Sequence, residues 1–179
     1  MSLRCPSSPY IGVARLDGWR FIINQRGVAT IVPSDPNSAD DKGNHVFGLA
    51  YDLAEIDEET LDINEGVPFQ YIKEYMRVRL WDGRKVDDAG VPIIPDVSTD
   101  IGSEEVDALV YVDVKRITEG KPREEYIYRM GMGIRDGIAK GIPKSYFDKF
   151  LRGFIPEKGN EELDEVAKPR VIQHPQDSA

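Results

Sequence analysis

Cysteine is almost missing from this chain. Cys5 stands alone, so no internal disulfide can form, and the fold is expected to rest on its core in a reducing compartment such as the cytoplasm. With Pro and Ser around it and no histidine nearby, Cys5 reads as a structural or incidental thiol and not as a nucleophile. Histidine is nearly as scarce. His45 and His174, even counted with the cysteine, do not make the set of ligands that a zinc centre needs, so no metal is expected. His45 borders a loop and His174 lies close to the C-terminus, and both read as solvated or capping side chains. Positive charge is also short: 23 Lys and Arg face 32 Asp and Glu, leaving a net charge of −9, and the basic residues are scattered. That balance argues against a nucleic-acid partner, which requires a basic face. No apolar run approaches a membrane-spanning length, and the opening MSLRCPSSP lacks a hydrophobic signal region, so no membrane partner is expected.

What remains is ordinary for a folded chain. At 179 residues and 40% hydrophobic content the sequence can bury a core within one domain. Ile11–Leu16, Trp19–Asn24 and Val28–Val32 are short β-branched or aromatic runs separated by Asp17-Gly18 and Arg26-Gly27, which is strand and turn punctuation. Residues 33–44 are turn chemistry, and Val46–Leu53 is a further strand. Asp57 is placed to cap a helix of two turns that closes at Gly66. Tyr71–Trp81 alternates as a half-buried strand, residues 82–104 read as a long insertion loop, and 105–117 returns to strand pattern. From Arg123 the period changes: Tyr126, Met130, Ile134 and Ile138 mark one helix over 123–139. Tyr146, Phe147, Phe150, Leu151 and Phe154 mark another over 143–154. Residues 157–179 read as a charged tail. Strands followed by helices give an α+β class: a small mixed β-barrel or a strongly curved sheet, packed by short helices, in a single domain over 1–156.

Few residues can carry chemistry. The run Gly131 to Gly137 looks superficially like a dinucleotide fingerprint, but it lies inside a helix with the wrong last spacing, so close helix packing explains it better. Carboxylates are left. Asp57, Glu58, Glu59 and Asp62 share the short acidic helix with Glu65, and most of them form a solvated face. Glu65 differs by closing that helix beside Val67, Pro68 and Phe69. A carboxylate against such an apolar turn is suited to taking and returning a proton.

The order of these segments resembles the gamma-glutamylcyclotransferase family. The residues that carry the resemblance are Gly12–Asn24, Gly27–Pro33, Val46–Leu53, LDINEGV at 61–67, Pro68–Val78 and Glu125–Pro156. It implies a cofactor-independent, 5-oxoproline-forming cyclotransferase acting on a small γ-glutamyl substrate. The glutamate of the family's LD-x-x-EG setting is its acid/base and matches Glu65. Tyr71, Tyr111 and Tyr126 match tyrosines near the substrate, although core filling explains each equally well. A homodimer is a further implication. The chain departs from the family in one respect: it contains no glycine turn of the YFAYGSN type. Backbone donors on that turn polarise the carbonyl under attack, and losing one such donor costs about 10²–10³ in rate. A slow or silent enzyme with an unpaired barrel edge is therefore expected. The alternative reading is a degenerate member serving as a binding or assembly module.

Overall fold

The computed structural model describes residues 5–35 and 43–157. Along them run β1 (Tyr10–Asp17), β2 (Trp19–Ile23), β3 (Ala29–Pro33), β4 (His45–Tyr51), α1 (Glu55–Glu65), β5 (Ile72–Asp82), β6 (Ser103–Val112), α2 (Glu124–Ala139) and α3 (Lys144–Phe150). Every element expected from the sequence is present, and two end well short of expectation. The strand expected through Ile117 stops at Val112, because the next residue, Asp113, turns the chain. Its Oδ1 accepts the backbone N–H of both Lys115 and Arg116 at 3.1 Å. The last helix ends at Phe150 and continues only as turns. The tail from residue 158, with His174, lies outside the described residues.

The α+β class stands. All pairing is antiparallel, in a four-stranded sheet ordered β4-β1-β5-β6 and a two-stranded ribbon of β2 and β3. The ribbon sets β2 against β4 and β3 against β6, so it flanks both edges of the larger sheet. No ladder joins ribbon to sheet, and among the described residues no closed barrel forms.

The larger sheet has two different faces, as strand alternation requires. On one, Val13 and Trp81 pack with Ile134, Ile142, Phe147 and Leu151 from the α2–α3 side. Each such aliphatic or aromatic side chain contributes roughly 1.5–3 kcal/mol when fully buried. On the other lies a trough of about 600 Å³, lined by Leu16, Val46, Leu61, Val78, Leu80 and Val110 among others. A β-bulge at Tyr10/Gly12 shifts the phase of β1, which lets Ile11 as well as Ala14 and Leu16 line that trough. The 82–104 insertion is packed onto the body. Val97 is buried, and Trp81 Nε1 donates to the Thr99 carbonyl at 3.1 Å. Of the glycines in α2, Gly131 and Gly133 have open space around them. Only Gly137 does the close packing, since a Cβ there would lie 2.7 Å from Phe147 Cζ.

Candidate active site around Glu65 and Tyr71

Helix α1 positions Glu65. Glu55, Asp57 and Glu58 in its first turn favour the positive end of the helix dipole. Asp57 is not the N-cap, in contrast to the sequence expectation. It lies inside the first turn, 4% exposed, and its Oδ2 accepts the Ser7 N–H at 2.9 Å and the Ser8 hydroxyl at 2.7 Å. Ser8 Oγ in turn accepts the Ala54 N–H at 3.1 Å, so the helix start is tied to the segment before β1. The buried carboxylate is satisfied by that tie instead of by its own helix.

At the other end the chain must leave the helix abruptly. Gly66 adopts φ 65°, and its N–H and that of Val67 return to carbonyls of the last turn, a left-handed cap suited to glycine. This places half-buried Glu65 as the final helical residue. Three residues earlier, Asp62 fixes the helix to the sheet. Lys73 Nζ on β5 donates to Asp62 at 2.8 Å and to Glu58 at 2.7 Å, and the Tyr111 hydroxyl on β6 donates to Asp62 at 2.8 Å. The Lys73 and Tyr111 bonds hold the Asp62 carboxyl below its ordinary range. Burial, followed by the bond to Asp62, pushes the Tyr111 phenol well above its own.

Tyr71, just before β5, is the meeting point of the site. Its hydroxyl donates to the Ala29 carbonyl of β3 at 2.9 Å. Burial pushes the phenol up to about 12, with Tyr126, Glu65 and Asp113 adding to the rise and Arg26 opposing it. Glu65, Tyr71 and Tyr126 are thus brought together from α1, the start of β5 and the first turn of α2. Tyr111 also feels the Glu65 charge, but its hydroxyl is committed to Asp62 and its ring lines the trough. Neither the trough nor the smaller cavity of about 290 Å³ beside α2 and α3 is lined by Glu65, Tyr71 or Tyr126. Tyr111 links the two places, since it lines the apolar trough and feels the Glu65 charge.

Three residues of this locality were missed by the sequence reading: Asn24, Arg26 and Asp113. Asn24 and Asp113 are fully buried. Asn24 Nδ2 donates to Asp113 Oδ2 at 3.2 Å, Arg116 donates to the same oxygen at 3.1 Å, and the Asp113 N–H reaches Thr30 Oγ1 at 3.0 Å. The one available signal was a carboxylate interrupting an apolar alternation, Tyr-Val-Asp-Val at 111–114. His45, expected to be solvated or capping, is half-buried and stacks on Tyr146 with ring centroids 5.5 Å apart. Burial lowers its proton affinity. Among the described residues no three His, Cys, Asp or Glu side chains gather as a metal site, and no helix is long and apolar enough to cross a membrane. Chemically, the site offers one half-buried carboxylate beside two phenols. That is equipment for moving a proton and orienting polar groups.

No family model and no curated protein matches the sequence. Solved structures do. A human protein described as uncharacterized protein loc79017 superposes with a TM-score of 0.59 at 22% identity, over 94% of this chain and 89% of its own. A structure described as gamma-glutamyl cyclotransferase gives a TM-score of 0.59 at 21% identity, over 92% of this chain and 88% of its own. At these identities the likeness is one of fold, and it extends across nearly the whole of each chain.

Proposed function

We propose that this chain is a gamma-glutamyl cyclotransferase with Glu65 as its acid/base. One observation supports the reading: in a fold similar to that of a gamma-glutamyl cyclotransferase, Glu65 at the end of α1 and Tyr126 both act electrostatically on the Tyr71 phenol. The Glu65 carboxylate takes a proton from the α-ammonium of a γ-glutamyl group. The freed amine attacks its own γ-carbonyl and closes a five-membered ring. Glu65 then returns the proton to the departing nitrogen and accepts the second proton shed by the ring nitrogen, releasing 5-oxoproline and the free amine. Both reacting groups belong to one molecule, so the protein has to fold the substrate more than activate it. Intramolecular orientation of this kind reaches effective molarities of about 10⁵–10⁸ M. Tyr71 suits that task. Its proton is committed to Ala29, which leaves the phenol oxygen as an acceptor for the substrate amine. Tyr126 and Tyr111 complete the polar lining. The same reading takes residues 1–156 as one domain and makes the enzyme a cofactor-independent, cytoplasmic one.

Release of 5-oxoproline from γ-glutamyl-alanine tests it. Wild type should exceed Glu65→Gln by roughly 10²–10⁴, the usual contribution of a general acid/base. Equal release by the two proteins sinks the reading.

A further inference from the structure

One nitrogen of the Arg26 guanidinium is left without an acceptor. This nitrogen, NH1, is enclosed and has no hydrogen-bond acceptor among the described residues. Arg79 and Arg152 also have an enclosed nitrogen, but carboxylates stand beside both: Asp100 is 3.5 Å from Arg79 Nε and Asp148 is 3.9 Å from Arg152 Nε. Among the described residues no such ion pair forms at Arg26. A guanidinium cannot shed its proton to relieve the imbalance. An enclosed cationic donor without an acceptor is unfavourable, and an anionic ligand would remove the deficit.

The turn that carries Arg26 is rigid before any ligand arrives. Buried Asn24 accepts the Arg26 N–H at 2.9 Å, and the Arg26 carbonyl accepts from Arg123 Nε at 2.8 Å. Gly27 follows at φ 77°, where any side chain would press on the Lys121 carbonyl at 2.9 Å. A backbone fixed in this way leaves only the side chain to be ordered on binding. Arg26 and Glu65 both act electrostatically on the Tyr71 phenol, so a cation and a carboxylate lie within reach of one point. A γ-glutamyl group carries its amine and its carboxylate on a single carbon, which matches that pairing. A doubly charged phosphate matches it less well, because Glu65 and Asp113 act on the same point with their own negative charge.

We propose that Arg26 anchors the α-carboxylate of the γ-glutamyl group and so holds its amine toward Glu65, an assignment that rests on the cyclotransferase reading. The fork of the guanidinium suits a carboxylate bidentately.

Calorimetric titration with 5-oxoproline and with its carboxamide, neither of which is turned over, tests the anchor. Wild type should bind the acid roughly 10- to 100-fold more tightly than the amide, the range for a charge-assisted pair. Arg26→Gln should lose that preference while binding the amide as before, and Arg26→Lys should keep part of it. The anchor is overturned if acid and amide bind alike, if wild type binds neither, or if Arg26→Gln binds the acid like wild type. Glutarate, titrated in parallel, separates this outcome from failure of the reading. Arg26-dependent, salt-sensitive binding of glutarate, with no 5-oxoproline released from γ-glutamyl-alanine, keeps an anion site and rejects the cyclotransferase. Release with an unchanged KM in Arg26→Gln keeps the cyclotransferase and rejects the anchor.

Discussion

Replacing Asn24 by aspartate perturbs the electrostatics of the site without touching a residue assigned to proton transfer. Asn24 is fully buried, and its Nδ2 donates to Asp113 Oδ2 at 3.2 Å. In Asn24→Asp that donor becomes a carboxylate oxygen facing another. Two unit charges at this separation of 3.2 Å repel by about 5 kcal/mol at an effective dielectric of about 20. Two effects limit the realised cost. Arg116 still donates to Asp113, and the pair can take up one shared proton, each unit of raised proton affinity being worth about 1.4 kcal/mol. A loss of roughly 3–4 kcal/mol near neutral pH follows, within the range for an uncompensated buried charge. The Arg26 N–H keeps its acceptor, because aspartate retains an oxygen in the place of Oδ1. The pH dependence has a definite sign. The introduced carboxyl binds its proton more tightly folded than unfolded, so its penalty is absent below about pH 4 and grows as pH rises toward the folded value. Urea unfolding followed by tryptophan fluorescence at about pH 5 and about pH 7.5 reads this directly. The variant should lose at least about 1 kcal/mol more at the higher pH. Equal losses at the two pH values, or a loss below about 1 kcal/mol near neutrality, would refute the buried Asn24–Asp113 contact as drawn.

Two further outcomes follow from the packing and the phenols. Tyr71→Phe removes the bond to Ala29 and should cost about 0.5–1.5 kcal/mol at neutral pH by urea unfolding. Because the folded phenol is pushed up to about 12, its contribution is intact below the ordinary value near 10 and is lost as pH rises between the two. The variant should therefore lose stability less steeply than wild type over that interval, and an identical slope would count against the burial of Tyr71. Gly137→Ala puts a methyl group 2.7 Å from Phe147 Cζ and should destabilise by roughly 1–3 kcal/mol, lowering Tm by about 2–4 °C per kcal/mol in a thermal scan. Gly133→Ala, in open space on the same helix, should leave Tm unchanged or raise it.

Strand alternation and the change of period at Arg123 made most of the elements legible, because burial of one face imposes itself directly on local sequence. The same signal is blind to long-range satisfaction of polar groups. Asp57 looked like a helix cap by position, but its partners are Ser7 and Ser8, about fifty residues earlier. The strand expected to reach Ile117 stops at Asp113 because a buried carboxylate recruits the backbone beyond it. Alternation through Val112 and Val114 carries no trace of that demand. Nor could local sequence show that the β2–β3 ribbon flanks both sheet edges without closing a barrel.

The candidate site divides along the same line. Glu65 was legible because helix termination is local: a glycine that must adopt positive φ names the residue before it as the last of the helix. Tyr71 was singled out by the family resemblance alone, since core filling explained it equally well. Asn24 and Asp113 were not legible, since the contact that joins them spans 89 residues and the one local signal, a carboxylate between Val112 and Val114, does not name its partner. Arg26 was hidden for a sharper reason. As Arg26-Gly27 it served as turn punctuation, and the glycine accounted for the turn without any role for its neighbour. What distinguishes Arg26 is the absence of an acceptor around NH1, a property that belongs to the folded surroundings and to no window of sequence. The turn itself is held by Asn24 on one side and Arg123 on the other, two bonds that account for its backbone and not for its guanidinium. Residues that stabilise a fold are visible in sequence through what they repeat, whereas a donor without an acceptor is visible only once the chain is folded.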